Sequence, residues 1–404
     1  MALSDYNKNS QVEITEVNLK KPNSNDVLDI INLMDQLIVY EDMFECSMSA
    51  RLIFRDQVNL VGTFPIVGGE EVSIKFRSTV YPNPVSLTFI VYALGQRGLA
   101  NSAENIQINQ LMLCTPEVWR AANVNIESAY KGTYSDIISK IIAELQSKKA
   151  IDREESVGIV DYVAPSLNGF KAIKFCAGRA NSKTSSAMFF WETMQGYRFK
   201  SLKELYRATF DKFIYIEDRS VGDVDKDPNK VFNTAYSFDY LESNNRLNQY
   251  TNDAFGIDHM LVDFTNKRIT KQRNSYDSLF NRDDIKLNKF PLNDPAASFR
   301  SNSGYTPYHT DLSHLSQFNR NANLVMMDNL KFIVNIPGDS NLKAGDVVWL
   351  DVPAKVGLNI GKEAHSSGKW LVRSLKHLIT KTTFSTVCEL TKDSFDSDVT
   401  KTGG

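Results

Sequence analysis

Five histidines and 48 carboxylates are the side chains from which this chain of 404 residues would have to build a reactive or metal-binding centre. His309, Asp311 and His314 lie close together, an imidazole, carboxylate and imidazole of the kind that holds a divalent cation. Their spacing argues against a site, because residues five apart in a polar loop share no helical face and no further Cys or His stands nearby. They read as solvated loop side chains. His259, His365 and His377 stand alone. Glycan hydrolysis needs two carboxylates facing across a cleft; Glu154-Glu155 and Asp283-Asp284 are adjacent in sequence and read as solvated surface. No Gly-x-Ser-x-Gly elbow, phosphate loop or dinucleotide fingerprint occurs. Gly178-Arg179-Ala180-Asn181 makes a turn only, and Lys20-Lys21 and Lys148-Lys149 are short charged surface. The sequence therefore assigns no catalytic, cofactor-binding or metal-ligating residue, and no cofactor.

Composition narrows the classes further. Lys plus Arg total 46 against 48 Asp plus Glu, a net charge of -2, which gives no global attraction for phosphate backbones and excludes a nucleic-acid-coating role. Cys46, Cys114, Cys176 and Cys388 are far apart with no C-x-x-C pair, so buried free thiols in a reducing compartment are expected rather than a disulfide scaffold. Met1 to Ser10 is polar, and no run of about 18 apolar residues occurs anywhere. A protein kept in the cytosol, or in something assembled there, without membrane insertion, is the expectation. Hydrophobic residues at 42% and charged residues at 23% describe a folded chain, long enough for about two to four domains.

The elements that would carry function are organised around Asn341 to Leu390. Leu342-Lys343-Ala344-Gly345-Asp346 forms a glycine turn and leads into Val348, Leu350 and Val352, which alternate as in a half-buried strand. Two further runs, Trp370 to Ile379 and Phe384 to Leu390, complete three antiparallel strands. The same grammar occurs earlier. Gly68-Gly69-Glu70-Glu71 precedes Val72, Ile74 and Phe76, then come Val85 to Ala93 and Ile106 to Leu113. Setting Gly69 against Gly345 makes the turn, the acid after it and the alternating face coincide, which points to one unit used twice.

In chain order, Val12 to Leu19, Val27 to Met34, Leu37 to Phe44 and Met48 to Phe54 read as strands, so the first ~115 residues suggest a closed or nearly closed antiparallel barrel. The period changes at Tyr130. Thr133 and Asp136 form a capping box before Ile137, Ile138, Ile141, Ile142 and Leu145, a helix ending in Lys148-Lys149. A second helix spans Phe170 to Ala180 with Asn168 as cap, followed by strands at Met188 to Trp191 and Tyr197 to Phe199 and a helical turn at Ser201 to Tyr206. Strands return at Phe210 to Ile216 and Phe232 to Tyr240, separated by the charged turn Asp218 to Lys230. Asn244 to Gly256 is too polar for a core, and Met260 to Phe264 is a brief strand. Lys267 to Arg320 reads as irregular surface, and Leu324 to Phe332 leads back to a final barrel. Thr391 to Gly404 reads as a polar, mobile tail.

Ile336-Pro337-Gly338-Asp339-Ser340 with Leu342 to Asp346 and Val352-Pro353, the step Phe199-Lys200-Ser201-Leu202 after Phe189-Phe190-Trp191-Glu192, and Gly256 to Asp263 before Thr265-Asn266-Lys267 carry a resemblance. From about residue 10 to 395 the chain resembles the baseplate central hub, or tail-tube adaptor, proteins of contractile-tailed bacteriophages. Lys267 to Arg320 departs from that family in length and polarity. The resemblance implies a mainly β fold with two similar tail-tube-type antiparallel β-barrels plus a middle α+β domain. The first barrel would span 10–118 and the middle domain 119–206. The second barrel would begin at 207–243 and resume at 315–395, with 244–314 an insertion belonging to the middle domain and 396–404 a flexible tail. It further implies a non-enzymatic homotrimeric ring with pseudo-sixfold symmetry in the virion tail baseplate, assembled in the host cytoplasm. Partners would be the sixfold tail tube ring, the trimeric central spike and baseplate wedge proteins, with DNA met only in passage through the lumen. A β-rich hydrolase acting on cell-wall glycan is the alternative, and it would be a monomer with paired carboxylates in a pocket.

Overall fold

The computed structural model describes residues 11–22, 24, 26–57, 60–78, 83–101, 106–210, 212–216, 232–243, 245–251, 256–263, 267–275, 286–291, 302–307, 313–353, 363 and 366–396. It is a mainly β molecule. Seven strands come first: β1 (Val12–Lys20), β2 (Val27–Asp29), β3 (Met34–Asp42), β4 (Ser49–Asp56), β5 (Glu71–Ser78), β6 (Val85–Asn101) and β7 (Ile106–Cys114). Val17, Leu19, Leu37, Val39, Leu52, Phe54, Val72, Phe76 and Phe89 alternate along them and meet in one core. Each such side chain removed from water contributes about 1.5–3 kcal/mol. The expected Val27 to Met34 strand is broken: Val27–Asp29 is extended, Ile30 to Leu33 forms a turn in which the Leu33 amide donates to the Ile30 carbonyl, and Met34 opens β3. Asp56 then caps a helical turn, Leu60–Thr63, accepting the Leu60 amide at 2.8 Å.

The middle of the chain alternates short strands with helices. A helix at Pro116–Asn123 precedes the expected change of period, with proline in its first turn where no amide partner is needed. Among β8 (Asn125–Ile126), β9 (Ala129–Gly132), β10 (Ile151–Arg153), β11 (Val160–Val163) and β12 (Leu167–Asn168), β9 pairs with β11 and β8 with β12, while Ile151–Arg153 pairs parallel with Tyr197–Phe199. β13 (Met188–Thr193) and β14 (Gly196–Ser201) form a hairpin. Thr133 caps the helix Tyr134–Glu144 and accepts the Asp136 amide; Asn168 caps Gly169–Arg179; Ser201 caps Leu202–Arg207. The first of these ends at Glu144 rather than at Lys148-Lys149, because Gln146 turns to φ 55°. Lys149 is thereby released for ion pairs described below.

β15 (Lys212–Tyr215) and β16 (Ser237–Ser243) follow, then a helix at Arg246–Thr251, β17 (Gly256–Asp263), β18 (Arg268–Ser275), β19 (Phe290–Pro291), β20 (Asn302–Pro307) and the helix Ser313–Met327. The irregular reading of Lys267 to Arg320 is therefore corrected for the described parts 268–275, 302–307 and 313–320. β17 pairs antiparallel with β18 and parallel with β20, so main-chain hydrogen bonding organises a segment too poor in apolar residues to show a strand pattern. Asp218 to Lys230 lies outside the described residues.

β21 (Leu330–Pro337), β22 (Val347–Asp351), β23 (Gly368–Thr380), β24 (Phe384–Lys392) and β25 (Ser394–Phe395) complete the chain. A second core gathers Ile214, Phe332, Val334, Ile336, Val348, Leu350, Trp370, Val372, Cys388 and Leu390. The mobile-tail reading is corrected for Thr391 to Phe395, which are buried. The Lys392 ammonium lies 4.5 Å from the Trp370 ring, and Asp393 accepts the Leu287 amide. Those partners, remote in sequence, hold a polar segment that has no apolar pattern of its own. Residues 397–404 lie outside the described residues. Among the described residues, no helix is long and apolar enough to cross a membrane.

Candidate functional site

The feature that organises the molecule is a six-strand unit present twice. With the short β2 beside β1 left aside and the rest numbered in chain order within each unit, neighbouring strands run 1-4-5-6-3-2 in both: β1-β5-β6-β7-β4-β3 and β15-β22-β23-β24-β21-β16. Each ring closes through residues that lead into its strand 2. Ile30 donates its amide to the Val17 carbonyl in the first unit, and Ala235 donates to Tyr215 in the second.

The glycine turn aligned from sequence is the same object in both units. Gly69 and Gly345 take φ 92° and 87°, a region that side-chain-bearing residues avoid. The Gly69 amide donates to Val91 O and the Val91 amide to Glu70 O; in the second unit Gly345 donates to Val372 O and Val372 to Asp346 O. Glu70 accepts the amide three residues before it, from Val67, and Asp346 accepts that of Lys343. The paired register agrees as well: Val72 faces Phe89 as Val348 faces Trp370. A bulge follows Val91 and another follows Val372.

The two units are joined edge to edge. β3, strand 2 of the first, pairs antiparallel with β23, strand 5 of the second, from Gln36 opposite Thr380 to Asp42 opposite Ser374. Across this joint the order is β6-β7-β4-β3 then β23-β24-β21-β16, the pattern 5-6-3-2 placed twice in tandem. The joint is head to tail.

The middle segment locks the joint. Glu41 on β3 is fully buried and accepts amides from Met194, in the hairpin turn, and Ala344, in the second glycine turn, at 2.7 and 3.1 Å. Burial raises its pKa to about 7 against those two hydrogen bonds. Glu192 accepts the Met48 amide and an ion pair from Lys149, which also binds Glu117 at 2.7 Å. Burial raises the Glu192 pKa despite the lysine. Glu117 is also partly desolvated, but there Lys149 and Ser147 outweigh burial and lower the pKa. Trp191 donates Nε1–H to Ala344 O at 2.9 Å, and Arg198 reaches Asp346 at 2.8 Å.

Of the carboxylate pairs weighed from sequence, Glu154-Glu155 forms no cleft. Glu154 accepts the Ser201 amide and Glu155 pairs with Arg153; Asp283, Asp284, His309, Asp311 and His365 lie outside the described residues. His314 falls in the helix Ser313–Met327 and His259 in β17, while His377 is buried, with Nδ1 3.0 Å from Thr386 Oγ1. Among the described residues, no three His, Cys, Asp or Glu side chains are grouped to hold a metal ion. All four cysteines are free and buried. A crevice of about 250 Å³ between Asn83–Ser86, Met194-Gln195 and Ser340-Asn341 has no carboxylate in its lining. Sequence reasoning missed the buried acids Glu41 and Glu192. Their signal was present: Glu41 continues the inward series Met34, Leu37, Val39, and Glu192 directly follows the apolar run Met188 to Trp191.

No family model matches the chain. It is 24% identical to a probable baseplate hub protein, gp334, of Vibrio phage KVP40, over 91% of this chain and 92% of that one. A tail protein from Neisseria meningitidis MC58 superposes with a TM-score of 0.57 at 11% identity, covering 94% of this chain and 96% of its own. The 43 kDa tail protein of prophage MuSo2 from Shewanella oneidensis gives 0.58 at 8% identity, covering 94% and 99%. The fold is thus that of phage tail proteins, and the likeness to baseplate hub proteins read from the motifs holds across nearly the whole sequence.

Proposed function

We propose that this chain, a phage baseplate hub and tail structural protein by likeness of sequence and fold, assembles as a homotrimeric ring that connects a sixfold tail tube to a trimeric central spike. One observation carries the reading: the six-strand unit occurs twice and its copies are joined head to tail. Head-to-tail joints close into rings when the rotation allows. Three chains then present six nearly equivalent barrels to a sixfold partner while remaining threefold toward a spike. In this reading the ring lines a channel for DNA, sits in the virion after assembly in the host cytoplasm, and catalyses nothing. The division is 10–118 for the first barrel, 119–206 for the middle domain, and 207–243 with 315–395 for the second barrel. The insertion 244–314 lies with the middle domain, touching the end of the second barrel through Leu287 to Pro291.

Native mass spectrometry of the purified protein, alone and mixed with tube and spike candidates, tests this. A three-chain species that binds a trimeric spike is the expected result, and a monomer at every concentration would overturn it.

A further inference from the structure

The head-to-tail joint leaves two strand edges that fit one another. The Ala93–Asn101 part of β6 pairs with β7 on one side, the pairing with β5 having stopped at Glu71 opposite Ile90, and among the described residues no strand lies on its other side. β16 likewise has β21 on one side and, along Ser237–Ser243, no strand on the other. β6 is strand 5 of the first unit and β16 is strand 2 of the second. These are the two roles that β23 and β3 fill at the joint inside the chain. Long unprotected edges are sites for strand addition. Large apolar side chains on these two strands are exposed: Tyr92 at 49%, Tyr240 at 53% and Leu241 at 53%.

We propose that β16 of one subunit pairs antiparallel with the Ala93–Leu99 part of β6 in a second copy of this chain, in the register that β3 and β23 use internally. The occupant of each edge is therefore the other edge, on a neighbouring copy. The seam deepens the ring reading and rests on it.

The register follows from matched pairings. Ile38 lies opposite Arg51 in the first unit as Asp239 lies opposite Ile333 in the second, while Leu378 lies opposite Ser385 as Gly98 lies opposite Ile108. Inside the chain Ile38 pairs with Leu378 and its neighbours give Leu37 with Ile379 and Val39 with His377. Across subunits this becomes Asp239 with Gly98, Phe238 with Leu99 and Tyr240 with Arg97. Asp239 and Gly98 are exposed, as a pair on the outer face must be before assembly. No atom stands within 4 Å of a Cβ added at Gly98.

Opposed Cβ atoms on paired strands are about 4.5–5.5 Å apart, so a short bismaleimide should join cysteines placed at the two positions. The native thiols are buried and keep the background low. The full chain carrying Gly98→Cys and Asp239→Cys is expected to give a covalent trimer on a denaturing gel. Each single variant should run as a monomer. Ile38→Cys with Leu378→Cys, which should link within one chain, calibrates the chemistry, and matched circular dichroism and melting confirm that the variants fold. A native trimer that does not crosslink overturns the seam and leaves the ring standing. Covalent dimers from either single variant mean that like edges meet, which overturns the seam. A crosslinked ladder beyond three chains upholds the seam and overturns the closed ring.

Discussion

The two barrels share a frame and differ in what surrounds it. Strands 4, 5, 6, 3 and 2 keep the same order, turn and bulge, yet strand 1 is inverted: β1 runs antiparallel to β5, whereas β15 runs parallel to β22. The first barrel's main core is an apolar cluster built on Phe54, Phe76 and Phe89, with Asn109 buried on β7. The second encloses Lys212 paired with Asp339 at 2.6 Å, together with His377, Thr386 and Lys392. Its glycine turn is buried beneath Trp191 and Arg198. The first turn is half-open, with Val67 84% exposed and the Trp119 and Pro22 side chains near Gly69. The difference teaches that the pairing sheet is held constant because it makes the joint, while the remaining strand, the core and the turn are free to answer different neighbours.

The largest test of that contrast is a β-branched residue in each turn. A Cβ at Gly345 would stand 2.5 Å from Trp191 Cζ2, on top of the cost of φ 87°. Gly345→Val is expected to exceed about 4 kcal/mol, the range of severe single changes, and to abolish the proposed ring assembly, which light scattering would read. At Gly69 the nearest atom is Trp119 Cζ2 at 3.4 Å, so Gly69→Val should cost only the backbone strain, about 1–3 kcal/mol. Equal losses in urea titrations would break the claim that only one turn is covered.

Asp339→Ala comes next. It removes the partner of an ammonium that is 7% exposed, and stranding a buried charge costs about 3–5 kcal/mol. Replacing both members by apolar residues should recover most of that loss. Hydrogen exchange ought to show the opening in β21 to β24 before β4 to β7. Simultaneous opening of both would mean that the barrels do not differ in their dependence on buried charge.

Acid gives a smaller effect of known sign. Burial lowers the His377 pKa from 6.5 to about 4, so between those values the unfolded chain binds the proton that the folded one refuses. Stability therefore falls as pH drops through that window and is fully present above it, by up to about 3 kcal/mol. Glu41 acts oppositely: its raised pKa makes stability fall as pH rises from 4.5 to about 7. The measurement is accordingly the difference between wild type and His377→Gln in melts from pH 4 to 7, which isolates the imidazole. A difference independent of pH would remove His377 from the contrast.

Much of this frame was legible because alternation and glycine act locally. Val72, Ile74 and Phe76 against Val348, Leu350 and Val352 declared the repeat, and Thr133, Asn168 and Ser201 declared their helices. What was not legible depends on partners distant in the chain. β18 has no apolar pattern and exists because β17 pairs with it. Thr391 to Phe395 look like a tail and are buried by Leu287 to Pro291. The closure of each barrel, the direction of strand 1 and the β3–β23 joint are likewise non-local, and one sequence contains no signal for them.

The smallest predicted effect returns to the two turns. Trp191→Phe keeps most of the buried ring but loses the hydrogen bond from Nε1 to Ala344 O, leaving that carbonyl to the Arg198 guanidinium at 3.2 Å. Because a second donor remains, the cost should be near the lower end for a buried hydrogen bond, about 1 kcal/mol. Trp119 is 37% exposed, and Trp119→Phe at the first turn should stay within about 0.5 kcal/mol. Chemical denaturation of the two variants side by side checks this. A larger loss at Trp119 would mean that the first turn is the more dependent on its aromatic cover, reversing the assignment of open and closed turns.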